Sequence, residues 1–313
     1  MNALANILVK TDGLSHEKWL EYRNMGIGGS DVAPLLGISK WKSPLELWLE
    51  KTGRNEDLVQ ENEAMTWGHI MEPVLRNHFA DVTGKAVVEV NAILQHPNYP
   101  FMLANVDGVT VDDNGNPAIL EIKTASEYKR AEWESGAPIY YQTQIQHYLL
   151  VTGLEKAYCA VLIGGNTFRI HTVSADKDVQ RMLIALESEF WDKVVRDVRP
   201  DVDGSDAATD FLNKMYRGGN KEVITLPDTA LDLIEQYHAA SEDEDAAKTR
   251  KQEAANRLKE LLGNHDKATC GEHTVSWTPV TSERLDTKAL KANEPEIAKK
   301  YTNSSTSRRF VIK

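Results

Sequence analysis

Hydrophobic positions recur along the chain with two alternating periods, near 3.6 and of two, which predicts helices interleaved with short strands. Ser15 is placed to cap a first helix ending near Met25. G-I-G-G-S-D-V-A-P-L-L-G follows as a glycine-rich turn into a short helix starting at Ser30 or Asp31, whose backbone N–H groups are placed to hold a phosphate. Trp41 to Gly53 reads as an amphipathic helix with Leu45, Trp48 and Leu49 on one face and Gly53 as C-cap. Glu61 to Thr83 carries a longer helical pattern through Met65, Ile70, Val74, Leu75 and Phe79. Lys85 to Gln95 alternates as a strand, and Asn105 to Thr124 places two apolar runs around D-N-G-N-P, the composition of a β-hairpin turn. Ile139 to Val151 is helical and closes at Gly153. Ala157–Ile163 and Thr167–Val173 form a second hairpin around G-G-N, and a helix over 175–198 stops before Pro200.

The pattern breaks at D-V-D-G-S-D (201–206), which sets an expected boundary between residues 1–204 and 205–313. Beyond it, Leu226 to Leu262 reads as one long helix or a helical hairpin in loose heptads, interrupted by Glu244 and Lys251. A strand at Thr274–Val280, a short helix from Asp286 and a terminal strand at Arg309–Lys313 complete it. The expected class is α/β: a central mixed β-sheet flanked by helices, plus a smaller helical and β C-terminal extension. The last fifteen residues carry five basic side chains and no acids. They suit either a tether to DNA or a partner, or a strand in which Phe310-Val311-Ile312 joins Thr274–Val280.

Composition narrows the classes. Only Cys159 and Cys270 are present, which excludes a disulfide framework and a four-cysteine iron–sulfur site. No apolar run reaches the ~18 residues of a membrane span, and the N-terminus lacks a signal-peptide pattern, so a cytoplasmic protein is expected. The net charge of −11 argues against non-specific coating of nucleic acid. Residues 1–204 carry 19 basic and 29 acidic side chains, so the acidity sits in the first part.

The charged residues of the first hairpin carry the chemistry. Asp107 opens its first strand, and Glu121 and Lys123 sit two apart in the second, so both point to one sheet face while Ile122 points to the core. Two carboxylates brought together on a sheet face repel each other, and a divalent cation compensates them. Asp107, Glu121 and the Ile122 carbonyl supply hard oxygen ligands, and Lys123 is placed to orient or deprotonate an attacking water. A solvated surface hairpin is the competing reading of the same spacing.

Four blocks in order, W-L-E-Y-R-N-M-G-I-G-G-S-D (19–31), W-G-H-I-M-E-P (67–73), V-D-G with E-I-K, and Y-Q-T-Q-I-Q-H-Y (141–148), resemble the YqaJ and lambda-exonuclease family of phage recombination nucleases in the PD-(D/E)XK superfamily. Val106 departs from that pattern, standing where the superfamily name has proline. The resemblance implies a magnesium-dependent deoxyribonuclease with two ions, Mn²⁺ being the alternative metal. It adds Glu72 and Gln144 to the catalytic set and gives Arg23 and Ser30 to a 5′-terminal phosphate. Trp19, one helical turn before Arg23, and Tyr141, on the Gln144 face, join the substrate contacts. Met65 aligns with an apolar wedge that splits the terminal base pair. For Trp19 and Met65 a place in the core is the alternative, and for Arg23 a surface salt bridge. The implied partners are double-stranded DNA ends, a single-strand annealing protein and further copies of the chain, a trimer by resemblance, with no membrane. The implied reaction is 5′ to 3′ exonucleolytic resection; an endonuclease of the same superfamily and a non-catalytic recombination scaffold are the alternatives.

Overall fold

The computed structural model describes residues 5–54, 63–216, 218–219, 222–303 and 308–312. The chain divides into two compact units, Met1–Met215 and Tyr216–Lys313. In the first unit, β1 (Asn6–Lys10) precedes α1 (His16–Arg23), whose N-terminus is capped by Ser15 Oγ accepting the Lys18 N–H. Next come β2 (Ile27–Gly28), α2 (Gly29–Leu35), α3 (Pro44–Lys51) and α4 (Glu63–Thr83); positions 61 and 62 of the expected helix lie outside the described residues. β3 (Ala92–Gln95) and β4 (Met102–Ala104) join β1 and β2 in a four-stranded sheet ordered β1-β3-β4-β2.

The sheet that matters for function contains β5 (Gly108–Val111), β6 (Pro117–Ala125), β7 (Lys156–Ile163) and β8 (Thr167–Ser174) in that order. Both hairpins are antiparallel and β6–β7 is parallel, so the sheet is mixed. The parallel step requires a crossover, which the 3₁₀ segment Glu127–Trp133 and α5 (Ile139–Thr152) provide. Period-two alternation on β6 then separates two cores. Ala118, Leu120 and Ile122 pack with Leu75 and Phe79 of α4, while Ile119 packs with Ile145 and Leu149 of α5. A third cluster joins Ile27, Leu45, Leu47 and Trp48 to Leu183 and Phe190 of α6 (Lys177–Val195) and Phe211 of α7 (Asp206–Met215).

Three expectations change, and an open alternative is decided. The strand read over 85–95 shortens to β3, because residues before it make only a single bridge, Val88 with Val109, and β3 pairs into the other sheet. On α4 only Leu75 and Phe79 are buried; Ile70 and Val74 are 51% and 53% exposed, because only the Leu75–Phe79 ridge meets the sheet. The first unit extends past residue 204 to Met215, since α7 buries Ala207, Ala208 and Phe211 against α3 and its neighbours. In the second unit, of the two readings of Leu226–Leu262, the single helix is found: α8 (Ala230–Leu262), 33 residues without a break, starting four residues later.

The second unit continues with a two-stranded hairpin, β9 (Lys267–Cys270) and β10 (His273–Ser276), shorter than the strand read to Val280. Asp286 caps α9 (Thr287–Asn293) through the Ala289 N–H at 2.9 Å, and α10 (Pro295–Lys300) follows. Residues 308–312 form no strand; instead the Phe310 ring meets Tyr237 edge-on at 5.8 Å, and Lys313 lies outside the described residues. No described helix is long and apolar enough to cross a membrane.

These packing relations give a stability test. A chain ended at Met215 keeps Phe211 in its cluster, whereas one ended at Asp203 loses the ~1.5–3 kcal/mol that burying such a side chain contributes. The shorter chain is expected to melt roughly 3–12 °C lower in a thermal-denaturation scan. Equal melting temperatures would contradict the assignment of α7 to the first unit.

Candidate metal centre

The turn that builds the site is fixed by Asp112, whose Oδ1 accepts the Asn114 and Asn116 N–H groups at 2.9 and 2.8 Å, and by Gly115 at φ +81°. Strand pairing between β5 and β6 ends at Gly108 and Leu120. Asp107 stands where the strands part, and its Oδ2 accepts the Ile122 N–H at 2.7 Å. Within a strand the N–H and C=O of one residue point to the same edge, so the Ile122 carbonyl also faces the gap that β5 leaves.

Glu121 is 1% exposed. Its Oε1 accepts from Lys123 Nζ at 2.5 Å and from Gln144 Nε2 at 2.8 Å, while its Oε2 is buried with no hydrogen-bond partner. Leaving a buried acceptor unsatisfied costs about 1–3 kcal/mol, and more for a charged group. Burial, and then the charge of Asp107, push the Glu121 carboxyl up to about 8. Burial raises the Asp107 carboxyl too, partly offset by Lys123. For Lys123, burial opposes the charge, but Glu121 and Asp107 outweigh it and hold the ammonium well above its ordinary range. The lysine is therefore a fixed cation in the metal-free site.

Glu72 reaches this region from α4. Burial, then Asp107, raise its carboxyl, and Arg76 holds it through Nη2 at 2.5 Å while bonding Glu89 through Nη1 at 3.0 Å. Among the described residues no group of three or more His, Cys, Asp or Glu side chains forms a metal cage. The donors on hand are Asp107, Glu121 and the Ile122 carbonyl, with open positions for water. That set fits Mg²⁺ or Mn²⁺, which take hard oxygen ligands; Mg²⁺ in particular keeps several waters, and the unpartnered Glu121 Oε2 is the observation that shows the fit.

α5 supplies the wall. Gln144 Nε2 donates to Glu121 and, at 3.1 Å, to Tyr148 Oη; the Tyr141 ring lies 5.0 Å from Lys123 Nζ as a cation–π neighbour. Tyr148 was not singled out as a site residue, although its position four residues after Gln144 places it on the same helix face. Gly29 explains how α2 reaches it: a Cβ there would fall 2.4 Å from Tyr148 Cε1, so only glycine permits the contact. Gln146 and His147 point elsewhere. Gln146 ties Ser174 O and the Asp176 N–H, and His147 is wholly buried between Glu187 and Leu103 O.

Arg23, Ser30 and Trp19 form a second cluster. Arg23 Nη2 donates to Ser30 Oγ and Asp31 Oδ1, both at 3.0 Å, and its guanidinium lies 5.5 Å from the Trp19 ring. Trp19 is not a core residue, because α1 buries none of its side chains. The Gly28 N–H, one backbone donor of the glycine-rich turn, is taken by Asp31 Oδ2 at 3.0 Å and is closed to a phosphate. Met65 is 38% exposed on α4, two turns before Glu72, so it does not fill a core gap.

The mixed sheet, with a carboxylate at the strand fork and E-x-K on its neighbour, has the arrangement of the PD-(D/E)XK fold. Its likeness to solved structures agrees: the alkaline exonuclease LHK-Exo from Laribacter hongkongensis superposes with a TM-score of 0.50 at 22% identity, covering 58% of this chain and 93% of that one. The same exonuclease in complex with dAMP aligns at a TM-score of 0.48 over the same shares. A model of the YqaJ-like viral recombinase domain matches residues 18–155. Protein YqaJ of Bacillus subtilis (strain 168) is 40% identical over 314 residues, spanning 99% of this chain and 98% of that protein. The chain belongs to the YqaJ family.

The electrostatics predict a pH dependence. A carboxyl whose folded value lies near 8, above its ordinary 4.5, contributes stability that is complete below about 4.5 and is lost as pH rises through 8. In chelator the wild-type melting temperature is expected to fall between pH 6 and 9, and Glu121→Gln, neutral throughout, is expected to fall less. Identical slopes for the two proteins would contradict the burial of a charged Glu121.

Proposed function

We propose that this chain is a metal-dependent deoxyribonuclease that degrades double-stranded DNA from its ends, 5′ to 3′, during phage-type recombination. The observation that carries the reading is the buried Glu121 carboxylate, with one oxygen held by Lys123 and Gln144 and the other unpartnered beside Asp107. A recombinase family and an exonuclease fold support it. The leftover single strand is suited to a single-strand annealing protein as partner.

Asp107, Glu121 and the Ile122 carbonyl would hold Mg²⁺, which supplies Lewis-acid polarisation of the scissile phosphate and a more acidic bound water. The chain's own residues do the rest. Lys123 offsets charge growing on the phosphate and orients or deprotonates the attacking water. Gln144 fixes the Glu121 rotamer through Oε1 and leaves Oε2 without a partner, the oxygen that would ligate a cation. Glu72, held on α4 by Arg76, would be the third acidic residue of the site. Arg23 and Ser30 bind the terminal phosphate, with the Trp19 ring beside the guanidinium.

Three measurements follow. Asp107→Ala and Glu121→Ala are each expected to lower Mg²⁺-supported cleavage of linear duplex by on the order of 10²–10³ or more, with the circular-dichroism spectrum retained. Ordinary turnover by either variant would remove the metal assignment. On covalently closed circular duplex the wild type is expected to make no cut; cutting there would identify an endonuclease. Arg23→Ala is expected to reduce the preference for 5′-phosphorylated over 5′-hydroxyl ends by roughly 10- to 150-fold, the value of a charge-assisted contact. A preference kept at the wild-type ratio would make Arg23 structural.

A further inference from the structure

Behind Arg23 lies a buried ionic cluster that the reaction as described does not use. Asp31 is 1% exposed and accepts three hydrogen bonds: from Arg23 Nη2 at 3.0 Å on Oδ1, and from Lys51 Nζ at 2.7 Å and the Gly28 N–H at 3.0 Å on Oδ2. The Lys51 side chain is fully buried, and its Nζ also donates to the Arg23 backbone carbonyl at 3.2 Å. Arg23 is thus gripped at both ends, by its guanidinium and by its main chain, from two other helices, α2 and α3. Burial would raise the Asp31 carboxyl, yet Lys51 and Arg23 together hold it well below its usual range.

Two cations share one carboxylate, and the nearby Glu50 is already paired with Lys42, so cationic side chains outnumber carboxylates in a largely buried place. Such an excess is costly unless an anion answers it. Burial lowers the proton affinity of Lys51, and Asp31 opposes that shift. The only member of the trio that reaches solvent is Arg23, whose side chain is 24% exposed while those of Asp31 and Lys51 are 1% and 0%. Among the described residues its Nε and Nη1 make no hydrogen bond, because Nη2 alone serves both Ser30 and Asp31. The donors left over, Nε–H on one side of the guanidinium and Nη1 on the other, are charge-assisted donors of the kind a phosphate oxygen accepts.

We propose that Asp31 and Lys51 are positioning residues: Asp31 clamps the Arg23 guanidinium through Nη2 and leaves Nε and Nη1 as donors, and Lys51 anchors Asp31 and the Arg23 main chain from behind, so that an end phosphate completes the cluster. This inference rests on the reading of Arg23 as the phosphate contact. A lysine at position 23 would not replace arginine, since its single ammonium nitrogen cannot hold Asp31 and keep two further nitrogens for a ligand.

The test compares kcat and KM on duplexes with 5′-phosphate and 5′-hydroxyl ends for wild type, Arg23→Ala, Asp31→Asn and Lys51→Met, each checked for folding. Asp31→Asn and Lys51→Met are expected to reduce the phosphate preference roughly tenfold or more, through KM on phosphorylated ends rather than through kcat. Asp31→Asn combined with Arg23→Ala is expected to lose no more preference than Arg23→Ala alone. Asp31→Glu, which keeps the charge but displaces it by one methylene, carries the same comparison if Asp31→Asn does not fold. If Arg23→Ala loses the preference while the folded Asp31 and Lys51 variants keep it, the positioning role is overturned and the phosphate reading stands. If Arg23→Ala itself keeps the preference, the phosphate reading falls and this inference falls with it.

Discussion

A carboxylate held out of water with one oxygen satisfied and the other bare is unstable on its own, and the structure around Glu121 is arranged to keep it there. The strand fork does the first part. Because β5 leaves β6 after Leu120, Asp107 occupies the position of the missing strand and takes the Ile122 N–H that would otherwise be orphaned. The same fork leaves the Ile122 carbonyl facing the two acids. Lys123 and Gln144 then fix one Glu121 oxygen and leave the other for a ligand.

The remaining layers hold that arrangement rigid. The parallel β6–β7 pairing buries the strand on both faces, with α4 under Leu120 and Ile122 and α5 over Ile119. Gly29 lets α2 sit directly on Tyr148, which touches Gln144, so the Arg23 cluster and the Glu121 site are built on the same helix contact. A displaced α2 would therefore disturb both. The second unit, with its exposed long helix and basic tail, supplies none of the residues placed at the metal centre or the Arg23 cluster.

Much of the centre was legible because period-two alternation is a strong constraint: Glu121 and Lys123 on one face and Ile122 on the other follow from spacing alone, and the Asp112–Gly115 turn follows from its composition. The helices were legible in kind and less so in extent. Ile70 and Val74 fit an apolar stripe but face outward, since periodicity shows that a helix is amphipathic and not which turns a sheet will cover. The end of the first unit at Met215 depended on Phe211 meeting Leu45 and Leu47, a contact across more than 160 residues that no local signal marks. Asp31 and Lys51 were hidden for the same reason: a lysine ending an amphipathic helix ordinarily points to water, and only tertiary packing turns this one inward.

The decisive measurement is the anomalous difference map of crystals soaked in Mn²⁺. The geometry requires a peak within coordination distance of Glu121 Oε2 and an Asp107 carboxylate oxygen, absent from Glu121→Gln crystals treated identically. No peak there at millimolar Mn²⁺, or one bound elsewhere with Glu121 Oε2 still bare, would contradict the metal centre and with it the proposed reaction.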